Sequence, residues 1–295
     1  MKNSIYPCIW CQNNAEEMAD FYLSVFPDSE IKNENEYFVT LTINQQRIML
    51  LNGAEKAASI RPNPSISLMY LTPSEHEVEE IHEKLMEGGK ELMPLDSYPF
   101  SSKYAWVEDR YGVSWQLYTG KAEDIIQKIV PTLMFVGNNN GKAAEAIDFY
   151  TSLFPDSRKR GVLQYTGEEG ETAGNIQHAE FTIDEYLVMI MDSSYPHAFN
   201  FTEGISLAVE VVEQENIDYY WDRFISDGGV EGVCGWLKDK YGVSWQVFSF
   251  EGIELVLRSP KAIQAMQQMV KLDLNVIRDA AQNDPDYYDP AIQGI

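Results

Sequence analysis

An eight-residue stretch that occurs twice constrains this chain more than any other feature of its sequence. Residues 109–116 read D-R-Y-G-V-S-W-Q and residues 239–246 read D-K-Y-G-V-S-W-Q, so the two copies differ only in Arg against Lys. Residues 26–29 and 154–157 both read F-P-D-S after a helical pattern, which supports the same conclusion. Self-similarity at a nearly fixed separation indicates an internal duplication. The sequence therefore predicts two similar halves.

Each half is predicted to contain the order strand, helix and three strands twice. At the beginning of the chain, an apolar strand at 5–11 precedes residues 15–26, where apolar residues recur with helical spacing. Alternating or apolar runs at 30–35, 37–43 and 47–51 then have the composition of strands. The same order recurs three more times along the chain, which predicts four β-α-β-β-β modules.

The formal net charge of −24 over 295 residues excludes several classes of partner. Such an acidic chain is repelled by phosphate backbones and anionic membrane surfaces, so we expect neither nucleic-acid nor membrane binding. No apolar run approaches the ~20 residues of a membrane span, and the first residues lack an apolar signal segment. Three cysteines do not form a disulfide framework. We therefore expect a cytoplasmic protein.

The module order and the two repeated motifs give the chain a resemblance to the vicinal oxygen chelate superfamily of glyoxalases, bleomycin-resistance proteins and extradiol dioxygenases, and within it to the PhnB-like branch. The resemblance implies an α+β fold of two tandem glyoxalase-like domains at 1–121 and 126–252. Each domain would hold two modules whose strands curl around a cavity, with the helices outside. A C-terminal helix from Pro260 to Ala281 and an acidic tail would complete the region 258–295. A homodimer remains open, because the pairing that single-domain relatives achieve as dimers could be internal here.

The resemblance also implies a divalent metal in the cavity, with ligands from the first strand of each module and the last strand of the second. The first-strand position falls near Pro7 and Pro131, and the last-strand position holds Gln116 and Gln246. Proline offers no side-chain donor and a neutral amide is a weak ligand. The usual ligand set is therefore incomplete in both halves.

Strand parity provides a candidate site in the second half. Alternate residues of a strand face opposite sides, so the apolar positions of 177–183 should meet the helices. His178 and Glu180 then point into the cavity, where Gln246 of the last strand would join them. This spacing suits a general acid/base pair, or two metal ligands with Gln246 as a third. The alternative is a sheet histidine and glutamate that bind water or each other.

Other residues are candidates for ligand binding because of their predicted positions around the same cavity. Ser244 and Phe248 share a strand face with Gln246, and His197 lies on an aromatic-rich loop. Asp192 could reach the pocket or cap that loop. The remaining candidates are Trp236 and, in the first half, Gln116.

Two functional hypotheses follow. The first is a small-molecule enzyme of the oxygen-chelate type, of lyase, isomerase or dioxygenase chemistry, with the second domain active and His178 and Glu180 as catalytic residues. The second is a metal-free protein that binds or sequesters a small ligand or drug without catalysis. Relatives in the PhnB-like branch are sometimes described as methyltransferases, but no G-x-G-x-x-G loop is present to hold a nucleotide-like cofactor. We reject that activity.

Overall fold

The computed structural model describes residues 4–53 and 59–288. These residues form two compact units, of which one comprises Tyr6–Ile205 and the other begins at Ser206 and also holds the start of the first strand. Both units contain helices and strands, which confirms the predicted α+β class. Within the described residues, no helix is both long and apolar enough to cross a bilayer.

The four predicted modules are present, in chain order. The first comprises β1 (Ser4–Cys11), α1 (Ala15–Val25), β2 (Ser29–Glu34), β3 (Phe38–Ile43) and β4 (Gln46–Asn52). The second comprises β5 (Ile66–Thr72), α2 (Glu75–Leu85), β6 (Lys90–Tyr98), β7 (Ser101–Glu108) and β8 (Ser114–Thr119). The third comprises β9 (Ile129–Phe135), α3 (Ala143–Leu153), β10 (Arg158–Gln164), β11 (Ile176–Ile183) and β12 (Tyr186–Asp192). The fourth comprises β13 (Ile205–Val211), α4 (Gln214–Ser226), β14 (Val230–Glu231), β15 (Trp236–Lys238) and β16 (Ser244–Ser249).

The region after β16 forms three helices, so the prediction of one helix from Pro260 to Ala281 is wrong. They are α5 (Phe250–Arg258), α6 (Pro260–Gln267) and α7 (Leu274–Gln282). The side chain of Ser259 caps α6, and the carboxylate of Asp273 accepts the backbone N–H groups of Asn275 and Val276 in the first turn of α7. Two caps within fifteen residues mark two helix starts. The apolar residues of α6 and α7 pack in one cluster, and their combined pattern resembles that of a single amphipathic helix.

The second and third modules share one eight-stranded sheet. Its order is β10-β11-β12-β9-β5-β8-β7-β6, and antiparallel pairing of β5 with β9 joins the two modules. In the same unit β1, β4, β3 and β2 are neighbours in that order. In the other unit the order is β13, β16, β15 and β14. The domain limits at residues 121 and 126 stay a prediction, although the β5–β9 pairing joins strands from both sides of them.

The apolar face of β11 meets a helix, as strand parity predicts. Ala179, Phe181 and Ile183 are fully buried. The ring of Phe181 lies parallel to that of Tyr150 on α3, with 6.0 Å between centroids. The even-numbered residues of β11 therefore face away from α3.

The repeated stretch is a turn organised by a buried aspartate. In the first copy, Asp109 is 3% exposed and accepts four hydrogen bonds. Its Oδ1 accepts the backbone N–H groups of Tyr111 (2.9 Å) and Val113 (3.0 Å). Its Oδ2 accepts the hydroxyl of Tyr22 on α1 (2.8 Å) and the indole N–H of Trp115 on β8 (3.1 Å). One carboxylate thus joins the first helix to the last strand of the second module.

The second copy repeats this geometry within its own unit. Asp239 accepts the backbone N–H groups of Tyr241 (2.9 Å) and Val243 (3.0 Å) and the indole N–H of Trp245 (2.9 Å). Gly242 has a φ of +87°, a value that favours glycine, which accounts for the Tyr-Gly pair of the motif. The repeated eight-residue motif therefore encodes a structural turn.

Replacing Asp109 by Asn should destabilise the protein. The Nδ2 group of the new asparagine would face groups that are themselves hydrogen-bond donors. At least one buried donor would therefore lose its acceptor. We expect the free energy of unfolding at pH 7 to fall by about 2–3 kcal/mol. Chemical denaturation measures it, with Asp20→Asn on the exposed side of α1 as the control that should change stability by less than about 0.5 kcal/mol. Equal effects of the two substitutions would contradict the assigned role.

The contribution of Asp109 to the stability of the folded protein should also depend on pH. Burial raises the pKa of Asp109 to about 6, although the four donated hydrogen bonds oppose this shift. The folded protein therefore holds this proton more tightly than the unfolded chain, so ionisation costs stability. The free energy of unfolding of the wild type should exceed that of Asp109→Asn by the largest margin below pH 4. This margin should shrink by up to about 3 kcal/mol as pH rises through 6. Unfolding curves of both proteins from pH 4 to 7 test this, and an advantage that grows with pH would overturn it.

Candidate functional site

The candidate site lies on the face of the eight-stranded sheet that is turned away from the helices, which we call the site face. Residues opposite each other in register share a face of a sheet. On this basis Met69 and Gln116 pair across β5 and β8, and Glu180 and Met189 pair across β11 and β12. Thr132 of β9 links the two groups, because it pairs with Met189 on one side and with Ser67 on the other. Residues of both halves of the chain therefore form one continuous face.

The floor of the site face is apolar. One buried cluster contributes residues from four adjacent strands, and the ring of Tyr118 packs against it. The cluster members are Met69, Leu71, Val130, Leu187 and Met189. Methionine side chains are flexible and polarizable, so such a floor can adapt to the shape of a bound molecule.

A charged group stands on the β11 side of this floor. The Nε2 atom of His178 lies 3.7 Å from Oε1 of Glu180, which is longer than a hydrogen bond. The Nε atom of Arg160 on β10 lies 3.9 Å from the other carboxylate oxygen. The side chains of His178 and Glu180 are each about one-third exposed, so solvent and small molecules can reach both. The neighbouring imidazole, and then Arg160, hold the pKa of Glu180 below its ordinary value in spite of partial burial.

On the β8 side, Gln116 is committed to structural hydrogen bonds. Its Oε1 accepts the hydroxyl of Tyr104 at 2.8 Å, and its Nε2 donates to Oγ of Ser67 at 2.6 Å. All three side chains are buried, and burial raises the pKa of Tyr104. Gln116 therefore lies on the predicted face, but its amide is already bonded at both ends.

Gln246 does not lie on the sheet that carries His178 and Glu180, and its predicted place in their cavity stays a prediction. Gln246 lies on β16, in the other unit and in a different sheet from β11, and its Nε2 donates to Ser206 at 2.9 Å. Trp236 is its register partner on β15. Ser244 and Phe248 are buried on the same strand. The amide on the sheet of His178 and Glu180 belongs to Gln116 instead.

The carboxylate of Asp192 binds backbone N–H groups outside the aromatic-rich loop that it was expected either to cap or to leave for the pocket. It accepts the N–H groups of Gly141 (2.7 Å) and Ala143 (3.2 Å) at the start of α3, and that of Ile176 (2.9 Å) at the start of β11. Asn52 does the same for α1, since its Oδ1 accepts the N–H of Ala15 at 3.0 Å. Asp192 thus fixes the strand that carries His178 and Glu180 without reaching the site face.

His197 makes its hydrogen bond within its own loop. Its Nε2 lies 3.0 Å from Oγ of Ser193, which in turn lies 3.3 Å from Oε1 of the buried Glu171. Its ring packs on Phe199, with 4.7 Å between centroids. Burial lowers the pKa of His197. A ligand-binding role for His197 stays a prediction.

Sequence reasoning missed Arg160, although it completes the charged group. The register of β10 shifts between Lys159 and Gly161, which breaks the alternation that parity arguments need. The only signal in the sequence is a run of three cations, Arg158 to Arg160, directly before a glycine in an acidic chain.

The residues of the site face do not fit the divalent metal that the superfamily resemblance implies. On the site face, β9 presents Thr132 and not Pro131, and its register partners are Ser67 on β5 and Met189 on β12. Gln116 on β8 faces the same side, as the register partner of Met69. These supply hydroxyls, a thioether and an amide that is already bonded, none of which is a strong ligand. The carboxylate of Glu180 also lies beside the cationic Arg160, whose charge opposes the binding of a metal cation there. Among residues 4–53 and 59–288, no group of three or more His, Cys, Asp or Glu side chains could hold a metal ion.

The sequence model of a protein family described as 3-demethylubiquinone-9 3-methyltransferase matches residues 3–118 and again 127–248. The chain belongs to this family. A PhnB protein from Bacillus cereus, of known structure, is 34% identical, with 38% of this chain and 96% of that one covered and a TM-score of 0.35. The family match over both halves confirms the resemblance to the PhnB-like branch.

Glyoxalase I from Zea mays shares the fold over a longer range. It is 10% identical, covers 83% of this chain and 92% of its own, and has a TM-score of 0.55. This likeness confirms the two tandem glyoxalase-like domains and carries no statement about activity. The comparison with curated protein sequences gives no match.

Removal of the imidazole should raise the pKa of Glu180. In His178→Ala the partial burial of the carboxylate remains while its first stabilising neighbour is gone. Carboxyl NMR titration measures this pKa directly. The control is His76→Ala, because the Nε2 of His76 lies 3.6 Å from Glu80 on the exposed surface of α2 and should leave Glu180 unchanged. An unaltered pKa of Glu180 in His178→Ala would disprove the coupling.

Proposed function

We propose that the chain binds a small organic molecule on the site face without a metal, through His178 and Glu180. The observation that carries this proposal is the position of the pair, which is one-third exposed beside a buried floor of methionine and aliphatic side chains. Ligand sites commonly combine an apolar lining with a few polar groups that fix orientation.

The charges suit recognition of a polar group on an otherwise apolar ligand. The lowered pKa of Glu180 keeps this carboxylate ionised at neutral pH, so it acts as a hydrogen-bond acceptor. Arg160 lies close to Glu180 and balances its charge. The pair can therefore select a ligand by one directed hydrogen bond while the floor supplies contact area.

Proton transfer is the second candidate, favoured by the ionised carboxylate 3.7 Å from an imidazole. Such a pair could remove a proton from a bound molecule and return it at another atom. This would be isomerase or lyase chemistry without a metal. The methyl transfer named in the family description is not proposed, because the sequence has no glycine-rich strand-to-helix loop.

A small-molecule screen by thermal shift tests the proposal, since a ligand of the folded state raises the unfolding temperature. We expect a compound that binds in the presence of EDTA and loses about tenfold or more in affinity with Glu180→Gln, because a hydrogen bond to a charged group is lost. Glu80→Gln, on the exposed surface of α2, is the matched control and should bind normally.

Binding that requires an added metal, or that is equally tight in Glu180→Gln, would overturn the proposal. Turnover of the bound compound in wild type, abolished in His178→Ala and Glu180→Gln, would assign the site to proton transfer instead of binding alone.

A further inference from the structure

An exposed phenylalanine stands beside the site face, at the tip of the hairpin that joins β6 to β7. Phe100 is 53% exposed, although aromatic side chains of this size are usually buried. Its ring packs edge-on against Tyr104, with 5.1 Å between centroids and an interplanar angle of 83°. Tyr104 belongs to the site face, where its hydroxyl bonds Gln116.

Three rings at this hairpin are nearly parallel. Phe100 stacks on Tyr98 at 5.4 Å and 17°, and lies parallel to Tyr118 at 6.5 Å and 9°. The hydroxyl of Tyr118 donates to the backbone carbonyl of Phe100 at 2.6 Å, which fixes the hairpin tip to β8. The exposed ring is therefore held in a defined orientation by its neighbours.

The ring cluster and the charged pair border the same floor. Tyr118 packs on the methionine and aliphatic cluster, and Met189 of that cluster is the register partner of Glu180. Burial, and next the charge of Glu180, raise the pKa of Tyr118, so the carboxylate acts electrostatically on the β8 side of the face. A molecule on the floor thus has aromatic rings on one side and an ionised acceptor on the other.

We propose that the ligand is a planar aromatic compound with a hydroxyl group, whose ring packs on Phe100 and on the methionines and whose hydroxyl donates to Glu180. This inference rests on the proposed function and names its ligand class. Flat rings gain from stacking on aromatic faces and from contact with thioether sulfur, which saturated rings do not. A hydroxyl supplies the donor that an acceptor-only carboxylate needs.

The test compares three bicyclic probes and two variants of the full chain by calorimetry. The probes are 2-naphthol, decahydro-2-naphthol, which lacks the flat ring, and naphthalene, which lacks the hydroxyl. The variants are Phe100→Leu and, as the control, Phe250→Leu on α5, where the phenylalanine is 55% exposed. Both substitutions keep an apolar side chain at an exposed position, so both proteins should fold.

We expect 2-naphthol to bind the wild type about tenfold or more tightly than either other probe. Phe100→Leu should weaken 2-naphthol binding about three- to tenfold through loss of ring stacking, whereas Phe250→Leu should have no effect. No binding of 2-naphthol, equal binding of the saturated probe, equal binding of naphthalene, or no effect of Phe100→Leu would each overturn the inference.

Failure of this inference is distinguishable from failure of the proposed function. If aliphatic compounds from the screen bind in a Glu180-dependent and Phe100-independent manner, the binding site stands and the aromatic ligand class is wrong. If neither these compounds nor 2-naphthol depends on Glu180, both proposals are wrong.

Discussion

The fold depends on a carboxylate that is removed from water and fully hydrogen-bonded. Asp109 accepts two backbone N–H groups, a tyrosine hydroxyl and an indole N–H, so every acceptor position has a donor. A buried charge is costly unless such partners are present, and each partner is unsatisfied without it. The carboxylate is therefore fully hydrogen-bonded only when α1 and β8 are both in place, which couples the first module to the second. Asp239 organises the corresponding turn of the fourth module.

The same eight residues also explain why the metal chemistry of the superfamily does not fit. The motif ends in a glutamine that bonds a serine of the parallel neighbouring strand, Gln116 to Ser67 and Gln246 to Ser206. Each amide locks the last strand of its module to the first. In the family-type site this last-strand position would carry a ligand carboxylate, whereas here it carries an amide whose nitrogen holds two strands of the sheet together. Any chemistry must then come from other strands.

Periodicity and turn residues predicted the modules well, because local hydrogen bonding and side-chain alternation determine them. Parity also placed His178 and Glu180 on the correct side of β11. The sequence did not predict that Gln246 lies on a different sheet from His178 and Glu180, because strand pairing between modules, here β5 with β9, depends on contacts that no local pattern encodes. Arg160 was missed because a bulge at Gly161 interrupts alternation. The helices α6 and α7 were predicted as one because apolar spacing continues across their two capped starts.

The duplication supports the role proposed for His178 and Glu180. Thr40 of β3 pairs with Met49 as Glu180 of β11 pairs with Met189, so the two strands hold the same register position in their modules. The first module has Phe38 and Thr40 where the third has His178 and Glu180, and both of the former are buried. The first and third modules thus have the same strand register at these positions, and they differ there in two side chains. A scaffold fixed by buried aspartates and bonded glutamines tolerates such changes on one strand face, because neither residue of the pair contributes to the turns that hold the modules. His178 and Glu180 are therefore separable from the fold, which is consistent with the ligand-binding role proposed for them.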